Sequence, residues 1–259
     1  MSLLSTFKHS LWRILTERMH LDFKLRSGIS VIVRNYADWC TYNDLFVNAE
    51  YTEAITDAIT EWGPVAAQER LCVLDLGANM GYFSLQLADI FLQKCSVGKL
   101  EVCLFEASPK VTEELKRRVL IGSDRVGVQI VNGLVGKREG SARLNLGKED
   151  TVNFVGDAAD GGQWEGTRGA ETVRYVDLNS ATADMAVIHL IKCDIEGSEF
   201  AFIENYADLL KKTRRVVIEF HSHFGDIAEA TETLRNMGFS KVLVLRDSTL
   251  SPTVYFART

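Results

Sequence analysis

Residues 190–200 read LIKCDIEGSEF, a core-type run that ends in Asp194, Glu196 and Glu199 around a single glycine, Gly197. A second run, VVIEFH, ends in Glu219 and His221, with His223 two residues further on. In extended backbone successive side chains alternate, so Lys192, Asp194 and Glu196 are expected on one face, and Glu219, His221 and His223 likewise. Carboxylates beside an imidazole can do two kinds of chemistry. His221 has an intrinsic pKa suited to removing a proton near neutral pH, while Asp194 and Glu196 could orient the group that loses it. Alternatively, these acids join a histidine in holding a divalent cation such as Mg, which acidifies a hydroxyl. Plainer roles stand beside these. Lys192 would neutralise Asp194, and Glu196 and Glu199 would be helix N-terminal acids favoured by the macrodipole.

Whether these acids line a site depends on the elements that carry them. Apolar runs at "LCVLDLG", "LEVCLFEAS", "VGVQIVNGLV", "AVIHLIKC" and "RRVVIEF" read as strands one to five. The intervening "YFSLQLADIFLQKC", "KVTEELKRRVLIG" and "EFAFIENYADLLKK" read as helices, as does "IAEATETLRNMG" after strand five. Such alternation implies a parallel sheet with helices on both faces. The last two strands, "FSKVLVLRD" and "TVYFART", form a hairpin, which makes the final strand antiparallel. Upstream, residues 44–62 have helical spacing, and "FKLRSGISVIVR" reads as a hairpin around Ser27 and Gly28. The Gly- and Asp-rich stretch 147–172 has no clear period and reads as a lid or mobile binding loop.

In open α/β sheets a ligand lies at the carboxyl ends of the strands. Strand one is followed by Asp75-Leu76-Gly77-Ala78-Asn79-Met80-Gly81, and strand two ends at Glu106. Glycines permit a sharp turn and a close approach, and the next helix offers unpaired N–H groups. An acid after strand two can accept both hydroxyls of a ribose. NAD would call for G-x-G-x-x-G, with its middle glycine making room for a pyrophosphate. The spacing here is G-x-x-x-G, which fits a cofactor with ribose and adenine but no pyrophosphate: S-adenosylmethionine.

"VLDLGANMGYFSL", "FEASP", "IKCDIEGSEF" and "VVIEFH", in this order, resemble the FkbM-type family of S-adenosylmethionine-dependent methyltransferases. The resemblance runs from about residue 45 to the end, and "KCDIEGSE" is its most specific piece. It implies the class I methyltransferase fold: a Rossmann-like seven-stranded sheet with the last strand antiparallel and helices on both faces. It also implies O-methylation of a hydroxyl on a sugar, glycan or small natural product. By that resemblance Asp75, Gly77, Ala78, Asn79 and Gly81 would cradle the methionine end. Glu106, with Ala107 and Ser108 after it, would hold the ribose. Asn132 would lie near the adenine and Tyr51 would cover the cofactor. Because strand four neighbours strand one in this fold, Asp194 would lie close to the transferable methyl group. Residues 44–259 would then be the methyltransferase domain, with residues 1–43 an N-terminal helix and hairpin extension.

Composition bounds the alternatives. With 29 Lys and Arg against 35 Asp and Glu, the formal charge of -6 argues against nucleic acid as partner. A nucleic-acid base methyltransferase would also show Asn/Asp-Pro-Pro-aromatic after strand four, where this chain has "DIEG". The remaining alternatives are an NAD-dependent oxidoreductase and a non-catalytic S-adenosylmethionine-binding module. Retention of Asp75, Glu106 and Asp194 together speaks against the latter. Five cysteines without CxxC spacing suggest reduced core residues in a cytoplasmic protein. No run is long and apolar enough to span a membrane. The amphipathic helix expected from Leu3 to Leu15 packs on its own domain in the first reading, with a homo-oligomer contact as the second and peripheral membrane attachment as the third. Trp164 in the Gly-rich stretch could stack on a sugar face.

Overall fold

The computed structural model describes residues 20–146, 153–155 and 169–258. The expected N-terminal helix, Trp164 and most of the Gly-rich stretch lie outside the described residues.

The chain enters through a hairpin, β1 (Leu21–Lys24) and β2 (Ser30–Val33). Helix α1 (Tyr36–Tyr42) follows, capped by the Asn35 side chain, which accepts from the Asp38 N–H. The helix expected over residues 44–62 is broken. A π-helical turn, Asn43–Val47, comes first, and α2 (Thr52–Trp62) starts anew. The break sits at Ala49, whose φ of 58° no right-handed helix can continue through. Its consequence is to deliver Glu50 and Tyr51 at the start of α2.

The central sheet is β3 (Leu71–Leu76), β4 (Leu100–Glu106), β5 (Val126–Asn132), β9 (Leu190–Cys193), β10 (Arg215–Glu219), β11 (Lys241–Arg246) and β12 (Thr253–Ala257). Its order is β11-β12-β10-β9-β3-β4-β5. β12 is antiparallel to both neighbours, β10 and β11, and the remaining pairs are parallel. This is the open sheet with a reversed last strand that the alternation of elements implies, and the class I methyltransferase sheet that the family resemblance implies. The strand order reverses between β3 and β9, where Val73 pairs with Leu190 and Leu76 with Cys193.

Every residue of β3 is buried, because both faces of the sheet are covered. Val73 faces a core shared with α2 and with α3 (Tyr82–Lys94), through Ile55, Trp62, Leu87 and Phe91. Its neighbour Leu74 faces the opposite core, with Phe202, Tyr206, Leu209 and Phe239. The second face carries α6 (Glu199–Asn205), α7 (Ala207–Lys211) and α8 (Ile227–Asn236). The single helix expected from residue 199 to 212 divides at Tyr206, whose hydroxyl is within hydrogen-bond distance of the Lys137 and Val176 carbonyls. α4 (Pro109–Arg118) links β4 to β5, and the short α5 (Leu178–Ala181) precedes β9.

Between β5 and α5 lies a three-stranded antiparallel sheet that sequence reading does not anticipate: β6 (Ser141–Leu146), β7 (Asn153–Val155) and β8 (Gly169–Arg174), in the order β7-β6-β8. Within the expected loop, residues 153–155 and 169–172 are therefore strand. Its weak alternation hid them.

The hairpin and α1 are latched to the domain by polar contacts. The Tyr82 hydroxyl donates to the Ile32 carbonyl (2.7 Å), and the Ser27 N–H to Asp89 (2.8 Å). Arg118 pairs with Asp38 at 2.7 Å, and both side chains are buried. Removing one partner of a buried ion pair leaves an uncompensated charge. Asp38→Ala is therefore expected to cost about 3 kcal/mol in chemical denaturation, within the range for such truncations. Asp38→Leu combined with Arg118→Met should cost less than the single change. A single-variant cost below about 1 kcal/mol, the range of surface pairs, would show the latch to be dispensable.

Candidate active site

The turn after β3 is shaped by a close approach. Gly77 has φ +74°, and a Cβ there would lie 1.7 Å from the Asp194 carbonyl oxygen, so the turn lies directly on the backbone leaving β9. The N–H groups of Gly77 and Ala78 both donate to the Phe105 carbonyl at 2.9 Å. Asn79, with φ +48°, donates its N–H to Glu106 Oε2 at 2.9 Å. At Gly81, φ +81°, a Cβ would collide with Val119 and Leu115, so the start of α3 is packed tightly on the end of α4.

Glu106 closes β4 and is buried. Its Oε1 accepts from the Ser108 N–H at 2.8 Å, and Ser108 in turn caps α4. Burial pushes this carboxyl up, opposed by the two backbone N–H groups from Ser108 and Asn79. Asn132 stands at the end of β5, but its amide donates to the Glu106 and Ala107 carbonyls (2.9 and 3.0 Å) and to Thr112. It fastens the loop after β4. The cleft there is lined instead by Phe105, Ala107, Leu134, Val135 and Leu144. Leu144 comes from the unanticipated small sheet.

This cleft has two lobes that share Gly77, Asn79, Asp194 and Glu196. The first holds Glu106 and the apolar residues just named. The second holds Asp44, Glu50, Tyr51, Lys192, Glu219 and Arg246. Asp75 lines neither lobe. It is fully buried, accepting from the Ser84 hydroxyl at 2.7 Å, and its Oδ1 has no hydrogen-bond partner. Lys192 stands between Asp75 (3.7 Å) and Asp194 (3.5 Å) and donates to the Gly77 carbonyl at 2.7 Å. Burial pulls this ammonium down, but Asp194, Asp75 and Glu219 together hold its pKa above the ordinary lysine value.

The expected groupings hold in part: Lys192, Asp194 and Glu196 line one lobe and Glu219 lies with His221, although both strands stop before these runs end. β9 ends at Cys193, and Glu196 reaches the cleft through a turn in which its own φ is +51°. β10 ends at Glu219, and the chain then turns, with the Phe224 N–H donating to the His221 carbonyl at 3.0 Å. His223 is carried out to the surface. His221 stays, but not as a free base. Its Nδ1 lies 3.0 Å from Glu199 Oε1, and its Nε2 lies 3.3 Å from Glu196 Oε2. Glu199 is fully buried and also accepts the Ile195 and Gly197 N–H groups. Although burial disfavours the charged ring, Glu196 and Glu199 push its pKa up to about 11. At neutral pH both nitrogens are donors, and no lone pair remains to take a proton.

The sequence puts Glu219 on the His221 face without a role, and it does not anticipate Arg246 or Glu50. Arg246 follows a register shift between Val244 and Arg246 in β11, the kind of bulge that re-aims a side chain. Its Nη2 lies 2.5 Å from Glu219 Oε1, and its Nη1 lies 3.6 Å from Glu50 Oε2. The Thr253 hydroxyl donates to Glu50 Oε1 at 2.6 Å. Burial and the nearby Asp194 push Glu219 up to about 7, against the pull of Arg246, His221 and Lys192. Tyr51 is buried edge-on to Phe83 at 5.4 Å, and burial with Asp194 raises its phenol. Glu219 could have been found from its place in "VVIEFH". A bulge leaves no comparable mark in sequence.

Asp194, Glu219 and His221 offer ligand-type atoms all within 4.8 Å of one another. A divalent cation nevertheless does not fit them as built. Lys192 and Arg246 already compensate the two carboxylates, and both imidazole nitrogens face other acids.

The chain matches the family described as the methyltransferase FkbM domain over residues 75–241. It belongs to that family. The matched span contains the glycine turn, Glu106 and the whole acid cluster, so this FkbM-family chain is a methyltransferase and the oxidoreductase reading is set aside. No curated protein sequence matches it. Similar solved structures include a precorrin-6y C5,15-methyltransferase from Geobacter metallireducens GS-15 (10% identity, 78% of this chain and 87% of that chain, TM-score 0.38). A human methyltransferase 10 domain containing protein is similar at 13% identity (98% and 96% of the two chains, TM-score 0.44). The bifunctional kinase-methyltransferase WbdD is similar at 12% identity (82% and 38%, TM-score 0.44). Among the described residues of this methyltransferase, no helix is long and apolar enough to cross a membrane.

The His221 cluster has a measurable linkage. Because the folded pKa is raised to about 11, its stabilising contribution is full below the unfolded value near 6.5 and is lost as pH rises through 11. Between pH 8 and 10 the wild type should therefore lose stability more steeply than His221→Gln, by at most about 1.4 kcal/mol per pH unit. Parallel pH dependence of the two denaturation midpoints would mean that the ring is neutral in the folded protein.

Proposed function

We propose that this methyltransferase uses S-adenosylmethionine to O-methylate a hydroxyl of a sugar, glycan or small natural product. The observation that carries the reading is the second lobe. Beside the glycine turn it presents Asp44, Glu50, Asp194, Glu196 and Glu219, all acceptors of hydrogen bonds and suited to a ligand that offers hydroxyl donors.

The residues present fit the cofactor. The buried Asn79 Oδ1 has no partner and suits the ammonium of the methionine end. Each Glu106 oxygen takes one backbone N–H and keeps capacity for a ribose hydroxyl. Phe105, Leu134, Val135 and Leu144 form an apolar slot for adenine. When bound, S-adenosylmethionine supplies an electrophilic methyl group on a sulfonium. Tyr51 closes over that end, while the buried Asp75 acts through Lys192, which ties the turn to Asp194. Asp194, which lines both lobes, orients the acceptor oxygen for in-line attack. Glu196 shapes the acceptor side, and His221 holds it as a cation. Five free cysteines suit a cytoplasmic setting.

Calorimetry with S-adenosylhomocysteine tests the cofactor site, with NAD as a control. Wild type should bind, and Glu106→Ala should bind roughly ten- to a hundred-fold more weakly, the loss of a charged hydrogen bond of about 1.5–3 kcal/mol. A radiolabelled methyl-transfer screen over neutral hydroxyl, amine and carboxylate acceptors, with and without chelator, then tests the reaction. Transfer to amines alone would refute O-methylation. Binding without transfer to any acceptor class would favour a non-catalytic module.

A further inference from the structure

We infer that Glu219 takes the acceptor's hydroxyl proton, and that Arg246, delivered by the bulge in β11, is the positioning residue that holds it. The inference rests on the methyl-transfer reading above and adds the base which that reading leaves unassigned.

Position and occupancy single out Glu219. His221 gives both nitrogens to Glu199 and Glu196. Glu50 has Oε1 taken by Thr253 and Oε2 facing Arg246. Asp44 accepts from the Asn48 side chain at 3.2 Å. Asp194 belongs to both lobes and faces Lys192. Glu219 lines the acceptor lobe alone, at the tip of β10, with Arg246 on Oε1 and no hydrogen bond to Oε2 among the described residues. One oxygen is anchored and the other is open to a ligand.

The charges facing this carboxylate are Lys192 from β9 and Asp194 just past it, His221 beyond its own strand, Arg246 from β11, and Glu50 with Tyr51 ahead of α2. Glu196 and Glu199 reach it through His221. Burial and Asp194 outweigh the cations, which leaves Glu219 at about 7. That value suits a general base at neutral pH, where both protonation states are populated. The step balances. As the acceptor oxygen bonds to the methyl carbon, its O–H bond breaks and the proton passes to Glu219 Oε2. The C–S bond breaks with its electron pair left on sulfur. The products are the methyl ether, S-adenosylhomocysteine and a protonated Glu219, which returns its proton to water.

The test needs no known acceptor. A sulfonium in the cleft favours the ionised carboxylate, whereas the uncharged thioether does not. Calorimetry at pH 7 in buffers of different ionisation enthalpy should show S-adenosylmethionine releasing up to about half a proton on binding, since a group with pKa near 7 is half protonated there. S-adenosylhomocysteine should release clearly less. Glu219→Gln should abolish the difference while binding S-adenosylhomocysteine within about twofold of wild type, a change small on the affinity scale. Arg246→Gln should shift the release to higher pH, and Arg246→Lys should bring it back. With any hydroxyl acceptor from the screen, Glu219→Gln should lower kcat by roughly 10²–10⁴-fold at little-changed KM. Equal release by the two ligands, release that survives in Glu219→Gln, or wild-type kcat in that variant would each overturn the inference and leave the cofactor reading standing. Failure of the wild type to bind S-adenosylhomocysteine would remove both.

Discussion

The site is organised around the contact between Gly77 and the carbonyl of Asp194. Two parallel strands end side by side there, and the turn leaving β3 lies on the backbone leaving β9 with no room for a side chain. Lys192 locks the contact, donating to the Gly77 carbonyl while facing Asp75 below and Asp194 beside it. A buried ammonium is tolerable only because it is paired and hydrogen-bonded at once. The cofactor turn and the acid edge thus form one rigid unit, and Asp194 owes its place in both lobes to it.

Around that unit the protein concentrates like charge. Asp75, Asp194, Glu196, Glu199 and Glu219 crowd the ends of β3, β9 and β10, answered by Lys192, His221 and Arg246. Each cation is shared between carboxylates, so every acid is partly compensated and several retain raised pKa values. A core built for stability alone would avoid such crowding. Crowding of this kind at one edge of the sheet is the arrangement by which functional sites shift pKa values.

Much of the fold was legible from the chain. The apolar runs at 71–76 and 100–106 and the helical periods between them set the alternation, and the terminal hairpin implied the reversed strand. The glycine turn and Glu106 stood out because few residue types can serve there. Other features depended on contacts that periodicity does not encode. The period of residues 44–62 is helical, yet Ala49 interrupts it. Asn132 sits at the expected strand end, but its amide is consumed by a neighbouring loop. β6 alternates as SARLNL, but it is short, and its partners NFV and GAETVR carry little alternation. His221 has the residue type of a base, and two carboxylates far apart from it in sequence, or nearly so, make it a cation instead.

The sequence by itself determined which elements form and in what order, since hydrophobic period and turn chemistry are local. It also determined that acids gather where strands four and five stop. Which of those acids faces a cation, which is sealed under a turn and which keeps an open oxygen was decided only by tertiary structure. Protonation follows burial and the distances between charges, and those distances join residues such as Glu219, Arg246 and Glu50. A bulge in β11 and a left-handed residue at position 49 bring them together, and neither has a local signature in the chain.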